Sequence, residues 1–113
     1  MGELRVVRGR SAFVDLARRG RRAREGPLTV SHLPRADAPR FTFAISRKVG
    51  GSVTRNRLRR RLRALLREAL ADPAVPTPDG DYLVAATPAA TSLSFEELRG
   101  TLQRALQRLG TPA

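Results

Sequence analysis

Between Arg47 and Arg67 the chain carries nine basic residues and no acidic one, interleaved with leucines. Leu58, Leu62, Leu65, Leu66 and Ala69 recur every three or four residues, the pattern of a helix with one buried face. At about 100° per residue, Leu58, Leu62, Leu65 and Ala69 fall in one sector, while Asn56, Arg60, Arg63 and Arg67 lie roughly opposite. Arg57 and Arg61 flank the cationic side on one edge, and Arg59 on the other. Solvated helices mix signs so that i,i+4 pairs support them, and here no carboxylate appears until Glu68. A helix predicted over about 53 to 71 therefore demands an apolar layer on one side and a polyanion on the other.

The rest of the chain agrees with that demand. The formal charge of the 113 residues is +12, a self-repulsion that a polyanionic partner relieves. The excess is uneven: residues 1 to 67 hold 19 basic and 4 acidic side chains, residues 68 to 113 hold 3 and 6, so the partner surface is expected in the first two-thirds. All the basic residues except Lys48 are arginine, which suits bidentate phosphate contact and stacking on bases, although genomic base composition gives the same bias. With no cysteine there is neither a disulfide nor a thiolate metal site, and the redox compartment stays undetermined. The opening MGELRVVRGR lacks an apolar signal core, and no stretch approaches the roughly 18 apolar residues of a membrane span. A soluble chain, cytoplasmic by default, without a membrane partner, is the expectation.

Length favours one domain, 1–113, with a modest core. Ser11 can cap a first helix with Phe13, Leu16 and Ala17 on one face, Arg18 and Arg19 in its last turn and Gly20 as its stop. Leu28, Val30 and His32 alternate in a strand, a short edge strand can precede it near 21 to 25, and Phe41, Phe43 and Ile45 alternate in another strand. Ser52 or Thr54 can cap the central helix; Pro73, Pro76 and Pro78 end it. Tyr82–Ala86 reads as a strand buried on both faces, and Ser94 with Glu97 as a capping box. The final helix then has Phe95, Leu98, Leu102, Ala105, Leu106 and Leu109 as its stripe. The fold class is α+β, in the order α-β-β-α-β-α around a central sheet.

Arg40-Phe41-Thr42-Phe43-Ala44-Ile45-Ser46-Arg47-Lys48-Val49-Gly50, followed by Arg55-Asn56-Arg57-Leu58-Arg59-Arg60-Arg61-Leu62-Arg63, resembles the signature of the bacterial ribonuclease P protein family. The resemblance extends forward through Asp81-Tyr82-Leu83-Val84 and Ser94-Phe95-Glu96-Glu97-Leu98, and back to Arg10-Ser11-Ala12-Phe13. It implies a three-layer α/β sandwich, like the second domain of the fifth small-subunit ribosomal protein, with a left-handed βαβ crossover opposite to the general rule. It also implies an accessory subunit of a ribozyme that removes the 5′ leader of precursor tRNA, with catalysis and magnesium residing in the RNA. The implied partners are the catalytic RNA and precursor tRNA.

Carried over residue by residue, Lys48, Arg55, Asn56, Arg57, Arg59, Arg60, Arg61 and Arg63 would meet the catalytic RNA, and Arg67 continues the same cationic face. A cleft between the first helix and the sheet would hold the leader through Phe13, Ala17, Arg18 and Val30. Many relatives carry aromatics where Ala17, Leu28 and Val30 stand, so a less aromatic cleft that leans on arginine is expected. Thr42 stands where the family often has glycine, and Thr87 where it often has a basic residue. Asn56 can order neighbouring arginines, bond a base edge or cap a turn. Phe13 can stack a base or serve the core.

No catalytic or metal-binding residue is singled out. His32 lacks a partner histidine or cysteine and reads as a solvent-facing strand residue; Asp79 and Asp81 read as turn and capping residues rather than a magnesium pair. A structural ribosomal protein or RNA chaperone would use the same arginine band without coupling to cleavage. A DNA-binding regulator would need a preceding helix-turn and a dimerisation element, which are not evident, so no DNA partner is expected.

Overall fold

The computed structural model of the protein describes residues 4–111. Its longest element is α2, Ser52–Ala71, and it buries Leu58, Leu62, Leu65, Leu66 and Ala69 as the periodicity predicts. The apolar layer beneath it is a five-stranded sheet. In chain order the strands are β1 (Arg5–Val6), β2 (Arg21–Glu25), β3 (Leu28–Pro34), β4 (Arg40–Ile45) and β5 (Gly80–Ala86), arranged β1-β4-β5-β3-β2. β1 with β4 and β4 with β5 pair in parallel; β3 pairs antiparallel with both β5 and β2. The helix α2 makes the β4–β5 crossover that a parallel pair requires.

Alternation along the strands sends side chains to two separate cores. On one face Leu28, Val30, Phe41, Ile45, Tyr82 and Val84 meet the leucines of α2 and those of α3, Phe95–Gly110. On the other, Leu83 and Val7 meet Leu16 of α1, Arg10–Arg19. The result is three layers, α1 over sheet over α2 and α3, and β5 is buried on both sides as its apolar run predicts. The edge strand at 21 to 25 is present, with Ala23 buried against α3 and its arginine neighbours outside.

Caps differ from expectation at two of the three helices. α1 starts at Arg10 behind Gly9, and α2 starts at Ser52 behind Gly51, so Ser11, Ser52 and Thr54 all lie inside helices and none caps. Gly50 closes a short 3-10 turn, Arg47–Val49, at φ 153°, where a Cβ would sit 3.0 Å from that of Thr54. The turn and the helix start are thus fixed by backbone that only glycine adopts readily. At α3 the capping box forms as read: Glu97 N–H donates to Ser94 Oγ (3.1 Å) and Ser94 N–H to Glu97 Oε1 (2.8 Å). These bonds to Ser94 hold the Glu97 carboxyl below its usual range.

The start of β5 overturns two sequence expectations. His32 is buried rather than solvent-facing: its Nε2 lies 2.9 Å from the Asp79 carbonyl and its ring packs 4.5 Å from that of Tyr82. Asp81 is a buried strand residue, not a turn residue, and accepts from Arg40 Nε (2.8 Å) and from Arg35 (3.2 Å). Burying a carboxylate with that little water is costly unless such partners satisfy it. Gly80, at φ 135°, lets this corner close, since a Cβ there would meet His32 Nε2 at 2.7 Å and the Leu33 carbonyl closer still.

The two sides of α2 should respond oppositely to truncation. Leu62→Ala should cost about 2–5 kcal/mol of unfolding free energy as a core cavity, and Arg60→Ala should leave the melting temperature nearly unchanged. Urea denaturation of both variants checks the assignment of faces.

Candidate nucleic-acid interface

The leucine stripe of α2 points its opposite side at solvent, and that side is arginine. Asn56, Arg57, Arg60, Arg63 and Arg67 are exposed; Arg55, Arg59 and Arg61 are half-buried along the flanks. Lys48, in the 3-10 turn ahead of the helix, is exposed as well. The predicted α2 residues therefore share the side of the helix away from its leucines, with Lys48 in the turn just before it. Val53, Asn56, Arg59, Arg60 and Arg63 line a shallow concavity of about 530 Å³ on it.

What leaves this surface positive is where the carboxylates go. Glu68 binds Arg99 of α3 (2.7 Å) rather than an α2 arginine, Glu25 binds Arg104 and Arg108, and Asp81 binds Arg40 and Arg35. The hydrogen bond from Arg108, with that from Arg104 adding to it, holds the Glu25 carboxyl below its usual range. Among the described residues no α2 arginine has a carboxylate within salt-bridge distance. The bonds they do make are neutral. Asn56 Oδ1 accepts from Arg59 (3.1 Å), so Asn56 orders a neighbouring arginine and does not cap a turn. Arg61 reaches the Leu93 carbonyl at 3.5 Å, and Arg55 Nε is buried without a partner among the described residues.

The α1 side holds a second, smaller basic surface. Phe13 is 36% exposed and belongs to neither core, because Ala12 and Ala17 take the inward positions beside Leu16. Arg18 is exposed and Ala17 half-buried. Val30 is misplaced by the sequence reading: it is fully buried on the opposite face of the sheet, packed with Ala23, Val84 and the α3 leucines. Strand alternation puts Ser31 and Leu33, not Val30, on the side of α1. Two arginines of the basic stretch 21 to 24 join this surface, Arg22, which donates to the Ala17 carbonyl at 2.7 Å, and exposed Arg24. Their signal was the alternation Arg22-Ala23-Arg24 about a small apolar residue. Arg21 faces the other way and donates to the Arg108, Leu109 and Thr111 carbonyls at the end of α3.

Tyr82 is raised above its usual range, first by burial and then by the charge of Asp79, and its hydroxyl donates to the Pro78 carbonyl at 2.6 Å. Both Asp81 oxygens are held by arginine, which unfits the Asp79–Asp81 pair for a magnesium ion.

The family model described as Ribonuclease P matches residues 1–110. The chain belongs to the ribonuclease P protein family. Among curated relatives, the ribonuclease P protein component of Streptomyces avermitilis is 40% identical over 114 residues, covering 91% of this chain and 89% of that one. That of Thermus oshimai is 41% identical and covers 95% of this chain, which spans 66% of the Thermus protein's length. Solved structures agree in fold: the RNase P protein of Staphylococcus aureus superimposes with a TM-score of 0.80 at 18% identity, covering 94% of this chain and 95% of that one. The Thermotoga maritima protein gives 0.79 at 22% identity, with 91% and 96% covered.

If phosphates sit on α2, replacing Arg57, Arg60 and Arg63 by alanine should weaken binding to ribonuclease P RNA. The slope of log affinity against log salt should also flatten by about one unit for each phosphate no longer neutralised. A salt titration of the triple variant beside the parent measures both.

Proposed function

We propose that this chain is the protein subunit of a ribonuclease P ribonucleoprotein, with α2 laid against the catalytic RNA and the α1 surface holding the 5′ leader of precursor tRNA. The single observation behind it is the arginine face of α2, which a family member displays with no carboxylate in salt-bridge distance among the described residues. Folded RNA offers a protein mainly phosphates, ribose hydroxyls and unpaired bases, and guanidinium groups serve all three. Bringing two RNAs together costs phosphate repulsion, which a protein with a net charge of +12 offsets.

The reaction is endonucleolytic hydrolysis that leaves a mature 5′ end. In this reading the RNA performs it, with magnesium bound mainly by the RNA supplying Lewis-acid and water-activating chemistry. The chain's own residues bind, screen and position. No helix of the described residues is long and apolar enough to cross a membrane, and the cytoplasm is where we place the particle. A ribosomal or chaperone role would use the same surface, but membership of this family favours the processing role.

Purified protein added to a ribonuclease P RNA at low magnesium should restore cleavage of precursor tRNA, whereas rigorously RNA-free protein should cleave nothing. Stimulation no greater than that of a generic polycation would overturn the proposal. The leader-holding half has its own test. Phe13→Leu keeps most of the apolar volume but removes the ring, and should weaken precursor binding by roughly 1–3 kcal/mol or less. Mature tRNA affinity, measured at the same salt, should stay the same.

A further inference from the structure

Along the flank of α2 that faces the sheet's edge lies a groove of about 420 Å³ that the arginine band does not by itself account for. Its walls come from two elements distant in sequence: Arg5 and Val6 from β1, and Arg59, Arg63 and Arg67 from α2. Phe43 of β4 is its aromatic floor. The four arginines have no carboxylate partner among the described residues, and Arg5 directs one nitrogen to the Ala38 carbonyl at 3.1 Å. Phe43 is only half-buried, unlike Phe41 and Ile45 on the same strand face. The Arg63 guanidinium stands 5.9 Å from its centroid, at the outer limit of about 6 Å for a cation–π contact. Val6 is 51% exposed beside it.

A cationic groove with an aromatic floor is the chemistry that accommodates an unpaired nucleotide, because any base offers a π face and its flanking phosphates need countercharge. A duplex cannot offer that face, since its bases are stacked on one another. We propose that this groove receives an unpaired nucleotide of the catalytic RNA, the base stacking on Phe43 in place of the Arg63 guanidinium and the neighbouring phosphates meeting Arg5, Arg63 and Arg67. The interface thereby extends from α2 onto the edge strand β1. The proposal rests on α2 facing RNA and adds to it a base-stacking position and a charged residue outside the helix.

A single-stranded oligouridylate, titrated into the protein, should shift the Phe43 ring resonances, while an RNA duplex of equal length should leave them in place. Binding to ribonuclease P RNA without precursor then reads the energetics. Phe43→Leu should bind about tenfold more weakly with an unchanged salt slope. Phe43→Tyr, which keeps the ring, should bind as the parent does, and Arg5→Ala should lower the slope by about one unit. Equal weakening in Phe43→Leu and Phe43→Tyr would mean that the strand, not the stack, was disturbed, and would overturn the proposal. So would ring shifts of the same size with duplex, or a weakening seen only when precursor is present. If the Arg57, Arg60 and Arg63 triple variant fails to bind while every Phe43 and Arg5 variant binds normally, the groove is refuted and the helical interface stands.

Discussion

Packing of Leu58, Leu62, Leu65, Leu66 and Ala69 against the sheet and α3 sets the rotation of α2, and almost everything functional follows from that rotation. A helix with leucine on one side has one low-energy orientation over an apolar layer, so burying the stripe aims the arginines outward with no further instruction. The repulsion among those arginines opposes folding, and the core has to exceed it until RNA arrives. The ion pairs of α3 assist: Glu68 pairs with Arg99 of α3 rather than with an arginine of its own helix. Charge is thus sorted by helix, compensated on α3 and left open on α2.

The sheet then acts as a divider. Because successive strand residues point to opposite faces, the same β4 and β5 that support α2 through Phe41 and Tyr82 support α1 through Ala44 and Leu83. The two basic surfaces therefore sit on opposite faces of the sheet and share strands but no side chains. A ribonucleoprotein subunit built this way can hold one RNA on each side, and the partly exposed Phe13 ring lies on the face away from α2.

Where the sequence was legible, the reason was local periodicity. The boundaries of α2, the alternation of β4, the double burial of β5 and the Ser94–Glu97 box all repeat within a few residues, and all appear in the structure. What escaped was decided across long separations. Alternation grouped Leu28, Val30 and His32 on one face but could not say whether that face met α1 or α3, so Val30 was given to the wrong layer and His32 to solvent. The partners that bury Asp81 come from residues 35 and 40, and nothing near 81 announces them. β1 is two residues long, too short for any period, and it supplies one wall of the groove beside Phe43.

An open sheet has two edges, and each offers unpaired backbone groups that invite a strand from another molecule. Here the β2 edge is the better guarded of the two. The β1 edge is two residues long, and the β2 edge presents Arg22 and Arg24 on either side of a single inward alanine. Two copies approaching through β2 would bring like charges together before any backbone bond formed. Arg22 and Arg24 are thus charged residues of the kind that make an edge strand a poor template for another strand.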